Sequence, residues 1–210
     1  MKHYYADESC HEAKIGSFYA DIVNERGIME IQTANFGKLN KKLSSMLEFC
    51  HVTVVYPFEK KTTNHYIDEN SGEIFKKGSA RTRNDLNELF LELYRIKSFL
   101  TNPNFTLCIA ELELDKYIYV KNRDCRRKGK GGYHKIPKKL IRELYFEKSQ
   151  DFSFFLPEGL ADEFTVKQFQ NLQKSCQASL MLSVLECVGI VERFSKKGNA
   201  VLYRKTELEA

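Results

Sequence analysis

An α/β chain is predicted, with a mixed sheet followed by a small helical domain that closes on a β-hairpin. Three observations predict it. Residues 12–33 alternate in apolar character around two glycine-bearing turns, the mark of short antiparallel strands. Residues 51–58 form a short β-branched run, as a buried strand does. Beyond Thr165, apolar residues return at helical spacing behind residues that cap helices, and two more strand-like runs end the chain.

Composition bounds the class. The 210 residues are 42% hydrophobic and 29% charged, ordinary for a folded soluble protein and far from a disordered one. No window approaches the roughly 18 apolar residues that a membrane helix needs. The opening MKHYYADESC carries acids where a signal peptide needs an apolar run, so a cytoplasmic protein without membrane contact is expected. Six cysteines without a CxxC pair argue against a zinc site or a disulfide framework. The net charge of +5 permits a polyanionic partner without requiring one.

Glu12 to Val23 reads as two strands about Gly16-Ser17, and Ile28 to Thr33 as a third after the turn Asn24-Glu25-Arg26-Gly27. Phe36, Leu39, Leu43 and Met46/Leu47 then repeat at helical spacing, with Asn35 as the expected N-cap. His51 to Phe58 is the fourth strand, expected to close at Pro57. Residues 60–80 suggest an exposed hairpin around Glu69-Asn70-Ser71-Gly72. Leu86 to Leu100 reads as an amphipathic helix ending before Pro103, and Phe105 to Val120 as a long strand. Between Lys121 and Lys139, nine of nineteen residues are Lys or Arg, with three glycines and one acid. This segment is expected to be a flexible basic loop that contacts phosphates, with Arg126, Arg127, Lys128 and Lys130 as candidates. A loop that merely stays solvated is the other reading.

After about Asp151, Thr165 can cap one helix and Ser175 a second, which Gly189 stops. The runs 190–194 and 200–205 flank Ser-Lys-Lys-Gly-Asn, a hairpin with a basic tip. Helix, turn, helix, hairpin is the order of a winged helix. Its second helix exposes Gln177, Ser179, Ser183 and Glu186 and no arginine, so Lys196 and Lys197 on the wing are better candidates for phosphate contacts. A structural or protein-binding role for this module stands beside DNA binding. The expected division is 1–150, with the basic loop 121–139 inside it, and 151–210.

Folding the first three strands on these turns puts Glu12 opposite Asp21 and Asp21 opposite Glu30, with Gln32 on the same face. Like charges facing each other in a sheet are unfavourable. A hard divalent cation would explain such a row, since Mg²⁺ takes carboxylate oxygens and supports displacement at phosphorus. A shifted register, or acids solvated on an open face, would explain it equally. The Cys10-His11 and Cys50-His51 pairs invite a reading as ligands or as a nucleophile with its base, but ordinary packing is the simpler account.

The stretch FYADIV-NERG-IMEIQT, with Asp21 on one strand and Glu30-x-Gln32 on the next, resembles the core of the PD-(D/E)XK nuclease superfamily. It also resembles an uncharacterised bacterial family with a DIV…IEIQT core and a C-terminal winged helix. The resemblance covers roughly residues 2–58, and more loosely the last fifty. It implies a restriction-endonuclease-like αβββαβ core and a Mg²⁺- or Mn²⁺-dependent deoxyribonuclease. Asp21, Glu30 and the Ile31 carbonyl would be metal ligands, with Glu12 as an extra acid. Gln32 stands where the superfamily has lysine; its amide can position water but cannot titrate. Lys38, Lys41 or Lys42 on the following helix could substitute, and a solvated helix face is the plainer role for each. The first helix is reduced to little more than Lys2 to Ala6. A non-catalytic DNA-binding or regulatory protein on a degenerate nuclease fold is the alternative, and a homodimer or a protein partner at the winged helix is left open.

Overall fold

The computed structural model describes residues 1–121, 132–198 and 200–206 of the 210. It is a mixed α/β structure with a large mixed sheet. The elements are α1 (Lys2–Tyr5), β1 (His11–Ile15), β2 (Phe18–Asn24), β3 (Gly27–Ile31), α2 (Asn40–Met46), β4 (Val52–Asp68), β5 (Ile74–Lys77) and β6 (Arg81–Thr82). They continue with α3 (Asn87–Ile96), β7 (Phe105–Val120), β8 (Tyr133–Phe146), β9 (Glu163–Thr165), α4 (Val166–Gln173), α5 (Ala178–Cys187), β10 (Val191–Lys197) and β11 (Ala200–Lys205). The large sheet has the order β1-β2-β3-β4-β7-β8, with β5 and β6 paired to β4; a small sheet has the order β10-β11-β9. Among the described residues, no helix is long and apolar enough to cross a membrane.

The chain forms two compact units, one of residues 57–85 and 109–144, the other of 2–56, 86–108 and 145–210. In the second unit β1, β2 and β3 form an antiparallel meander, and β4 lies parallel to β3 through Ile28↔Val52 to Ile31↔Val55. A parallel neighbour needs a crossover, which the segment 36–50 supplies. Its core is apolar: Ile22, Phe36, Leu43, Val54, Leu89, Phe90, Leu93 and Ile96 are essentially inaccessible to solvent. A second cluster packs Phe90, Phe146, Phe152 and Phe155 ring to ring at 4.9–6.3 Å. Helix α4 starts at a reciprocal cap, in which Gln168 N–H donates to Thr165 Oγ1 (3.3 Å) and Thr165 N–H to Gln168 Oε1 (2.7 Å).

In the first unit the second part of β4 lies beside β7 and β7 beside β8. Partners rise together along β4 and β7, Lys60 with Glu111, Lys61 with Glu113 and His65 with Asp115, so these strands run parallel. Glu111 pairs with Arg142 at one end of β7 and Tyr119 N–H donates to the Gly132 carbonyl at the other, so β7 and β8 are antiparallel.

Four sequence expectations are corrected. Residues 36–39 form a 3-10 turn before α2, and Asn35 is left-handed (φ 60°) with no side-chain cap. The first N–H of that turn, on Phe36, is satisfied instead by Glu92 Oε2 at 2.8 Å. Strand β4 continues through Pro57 to Asp68, because one proline removes a single ladder donor and the alternating run beyond it still finds partners in β5, β6 and β7. The segment 121–139 is not loop throughout: from Tyr133 it is strand β8, carrying Lys135, Lys138 and Lys139. The N-cap of α5 is Gln177, whose N–H donates to Ser175 Oγ at 3.1 Å.

Candidate functional site

Two turns set the register of the acidic row. Gly16 (φ +59°) closes β1 to β2 with Ile15↔Phe18, Lys14↔Tyr19, Ala13↔Ala20 and His11↔Ile22 in register, so Glu12 and Asp21 stand opposite. At the second turn Arg26 N–H donates to Asn24 Oδ1 (2.9 Å), and Gly27 takes φ +112°. A Cβ on Gly27 would lie 2.3 Å from the His51 carbonyl oxygen, so only glycine fits. The pairs Val23↔Ile28 and Ile22↔Met29 then bring Asp21 beside Glu30.

Asp21 and Glu30 are joined by more than register. The Asp21 N–H donates to Glu30 Oε1 (3.3 Å), and the Ile31 N–H donates to Asp21 Oδ2 (2.9 Å). Glu30 is 5% exposed. From α2, the Lys42 ammonium closes on Glu30 Oε1 and donates to the Tyr19 carbonyl. From α1, the Lys2 ammonium bridges Glu12 Oε1 (3.1 Å) and Asp21 Oδ1 (2.9 Å). The row is thus Glu12, Lys2, Asp21, Glu30, Lys42, with each like-charge approach flanked by an ammonium. Burial holds the Glu30 carboxyl above the usual glutamate range, against the pull of Lys42 and with the nearby Asp21 charge adding to it. The Asp21 carboxylate and then Glu12 hold the Lys2 ammonium above the usual lysine range, against the cost of its burial.

The predicted site residues are not all gathered. Asp21 and Glu30 meet. Glu12 sits at a left-handed φ of 54°, its side chain is 76% exposed, and it joins the row only through Lys2. Gln32 lies past the end of β3, and its side-chain amide donates to the Ala34 carbonyl. Among the described residues, no group of three or more His, Cys, Asp or Glu side chains is placed to hold a metal ion. The donor set of Asp21 and Glu30 nevertheless suits Mg²⁺, which binds one or two carboxylates through hard oxygens and keeps waters elsewhere. Lys42 is one of three lysines indistinguishable in sequence, whereas nothing in the sequence points to Lys2 as a bridge.

Other candidates resolve into structure. His11 Nε2 is 3.0 Å from the Ala6 carbonyl, Cys50 Sγ donates to the Met46 carbonyl (3.2 Å), and His51 Nε2 is 2.9 Å from Thr106 Oγ1. Cys10 and His51 line one cavity of about 840 Å³ together with Met29, on the sheet face away from Glu30. On α5, Lys97 Nζ donates to Ser183 Oγ (2.9 Å) and Glu186 pairs with Arg193 (3.0 Å), so that face is engaged within the unit. Lys196 is exposed on β10. Arg126, Arg127, Lys128 and Lys130 lie outside the described residues, as does the side chain of Lys197.

Residues 1–147 match the family described as Domain of unknown function (DUF8091). The chain is also similar to an uncharacterized protein of Treponema pallidum (strain Nichols), 26% identical over 214 residues that cover 98% of this chain and 82% of the relative. No solved structure matches.

Proposed function

We propose that this chain, which belongs to the family described as Domain of unknown function (DUF8091), is a metal-dependent nuclease that hydrolyses DNA phosphodiester bonds at the Asp21–Glu30 pair. The observation that carries the reading is that pair: two carboxylates on neighbouring strands, Glu30 accepting from the Asp21 N–H and Asp21 from the Ile31 N–H, with Glu30 buried against a lysine. Two carboxylates held this close without a cation would repel, and two ammonium groups keep them there. The order of three antiparallel strands, a helical crossover and a parallel fourth strand agrees with the αβββαβ core of the restriction-endonuclease-like PD-(D/E)XK superfamily. Helices α4 and α5 with the three-stranded β9, β10 and β11 agree with a winged helix.

In this reading Asp21 and Glu30 hold Mg²⁺ or Mn²⁺, with the Ile31 carbonyl as a neutral oxygen beside them. The bound ion supplies an activated water and neutralises charge at phosphorus. Lys42 stands in for the charge that Gln32 lacks. Its ammonium, fixed by Glu30 and the Tyr19 carbonyl, is pre-oriented to stabilise negative charge without reorganisation. Lys2 engages Asp21 Oδ1, so that oxygen would be open to an ion only with the Lys2 ammonium moved aside. Arg126, Arg127, Lys128 and Lys130, with Lys196 and Lys197 on the wing, contact the phosphate backbone.

The test is Mg²⁺ and Mn²⁺ calorimetry on wild type, Asp21→Ala and Glu30→Ala, with plasmid nicking on the same samples. Wild type is expected to bind the ion and nick, and both variants to do neither while still binding DNA. Wild type that binds no ion overturns the reading. That outcome favours the second one, a non-catalytic DNA-binding or regulatory protein on the same scaffold, which the engagement of the Gln32 amide with Ala34 supports.

A further inference from the structure

The unit of residues 57–85 and 109–144 carries a surface that the Asp21–Glu30 reaction does not use. It holds 17 of the chain's 33 Lys and Arg but only 10 of its 28 Asp and Glu. The chain's positive charge is therefore concentrated here. One face of its sheet is aromatic. His65 stacks on Tyr117 (centroids 4.8 Å apart, 19° between planes), and Tyr119 meets His134 edge to face at 5.6 Å. Tyr117 and Tyr119 are two residues apart on β7, so all four rings share one face. His65 is buried, Tyr117 and Tyr119 are half-buried, and His134 is exposed.

The acids of that face already have partners. Glu111 is held by Lys60 (3.3 Å) and Arg142 (2.8 Å), Glu113 by Lys61 (3.3 Å), and Asp115 by His65 (2.9 Å). Two cations on the same face are not consumed in this way. Lys77 is in register with His65, and Lys138 on β8 is near enough, like Lys77, to act on the Asp115 charge, yet neither closes an ion pair among the described residues. The face therefore presents partly open rings flanked by available ammonium groups.

We infer that this sheet face binds single-stranded nucleic acid, with bases stacking on Tyr119, Tyr117 and His134 and phosphates meeting Lys77 and Lys138. A duplex hides its base faces within its own stack, so half-open rings reward unpaired bases. Charge complementarity selects a polyanion, and the rings select the single strand. The inference goes beyond the proposed cleavage and stands apart from it: binding here needs neither Asp21 nor Glu30.

The experiment is fluorescence anisotropy with labelled single-stranded DNA, single-stranded RNA and duplex DNA of one sequence across a salt series, using full-length Asp21→Ala protein. That background removes cleavage, so a failure of the nuclease reading and a failure of this one are separable. Single strands, deoxy or ribo, are expected to bind at least about tenfold more tightly than duplex. Tyr119→Ala should weaken single-strand binding about tenfold, whereas Tyr119→Phe, which keeps the ring and serves as the folding control, should bind as the parent. Lys77→Gln with Lys138→Gln should flatten the dependence of log affinity on log salt by about 1.4, or about 0.7 for each single-strand phosphate that a lysine no longer neutralises. Duplex bound as tightly as single strand, or Tyr119→Ala folded and unaffected, overturns the inference. The DNA and RNA arms show which sugar the face prefers.

Discussion

Glu30 and Lys42 form a pair from which the lysine's charge cannot be removed alone without cost. Lys42→Met leaves a carboxylate 5% exposed to water with one ammonium fewer, and breaking such a pair costs about 3 kcal/mol. Urea unfolding should show that loss, and Lys42→Met combined with Glu30→Gln should recover most of it, since the buried charge is then gone. The same lysine variant should lose about 100-fold in nicking rate while still binding metal, because the carboxylates remain and the fixed cation does not. Titration adds a second expectation. The Glu30 carboxyl is raised by burial, so the folded protein holds this proton more tightly than the unfolded chain does. Stability from this group is therefore fully present below the ordinary glutamate pKa and is lost as pH rises through the raised value. Metal binding runs the other way, strengthening over the same interval as Glu30 ionises. Glu30→Gln should remove that part of the stability–pH slope, and an unchanged slope would falsify the assignment. In sequence, Lys42 could not be separated from Lys38 and Lys41. The 3-10 turn at 36–39 winds three residues per turn rather than 3.6, which shifts the phase of the following helix by an amount that apolar spacing does not reveal.

Elements place these residues through their turns. Gly27 and Gly16 both take positive φ, but for different reasons: a Cβ at Gly27 would strike the His51 carbonyl, whereas the space around Gly16 is open. Gly16→Ala should cost about 1 kcal/mol, the strain of a left-handed alanine. Gly27→Ala should cost at least about twice that, because β3 must move off β4 and the Ile28 N–H bond to His51 (2.9 Å) is stretched. Metal titration distinguishes them further: only Gly27→Ala should weaken binding, since it shifts Glu30 against Asp21. These turns and the Asp21–Glu30 juxtaposition were legible in the sequence because a two-residue period carries register directly once a turn is located. Pro57 misled for the opposite reason. Proline is read as a stop from its missing donor, while strand continuation depends on partners more than fifty residues away in β7. Lys2 was illegible on the same ground, since a four-residue helix has no period to read and its side chain is positioned by strands formed later in the chain.

At the scale of the whole molecule, the shifted carboxylates of the two units differ in sign. In the unit of 57–85 and 109–144, burial raises Glu111, but Arg142 and Lys60 more than offset it and leave the carboxyl below the usual range. His65, against some desolvation, holds Asp115 below its usual range, with Lys138 and Lys77 adding to the effect. Stability from both is present above the unfolded pKa, near pH 4, and is lost as pH falls through the lowered folded values. Glu30, in the other unit, has its proton affinity raised, so its contribution grows over the falling interval. Acidification from neutral pH should therefore loosen the first unit ahead of the second. Hydrogen exchange at stepped pH is expected to show amide protection failing first in β7 and β8 residues 109–120 and 133–144, while β2 and β3 keep theirs. Glu111→Gln should blunt the acid sensitivity of that unit at the cost of its stability at neutral pH, because Lys60 and Arg142 then face no counter-charge. Simultaneous loss of protection in both units would mean that these carboxylates do not govern acid unfolding. Lysine pairing would then matter to the sheet only through the polyanion it can bind.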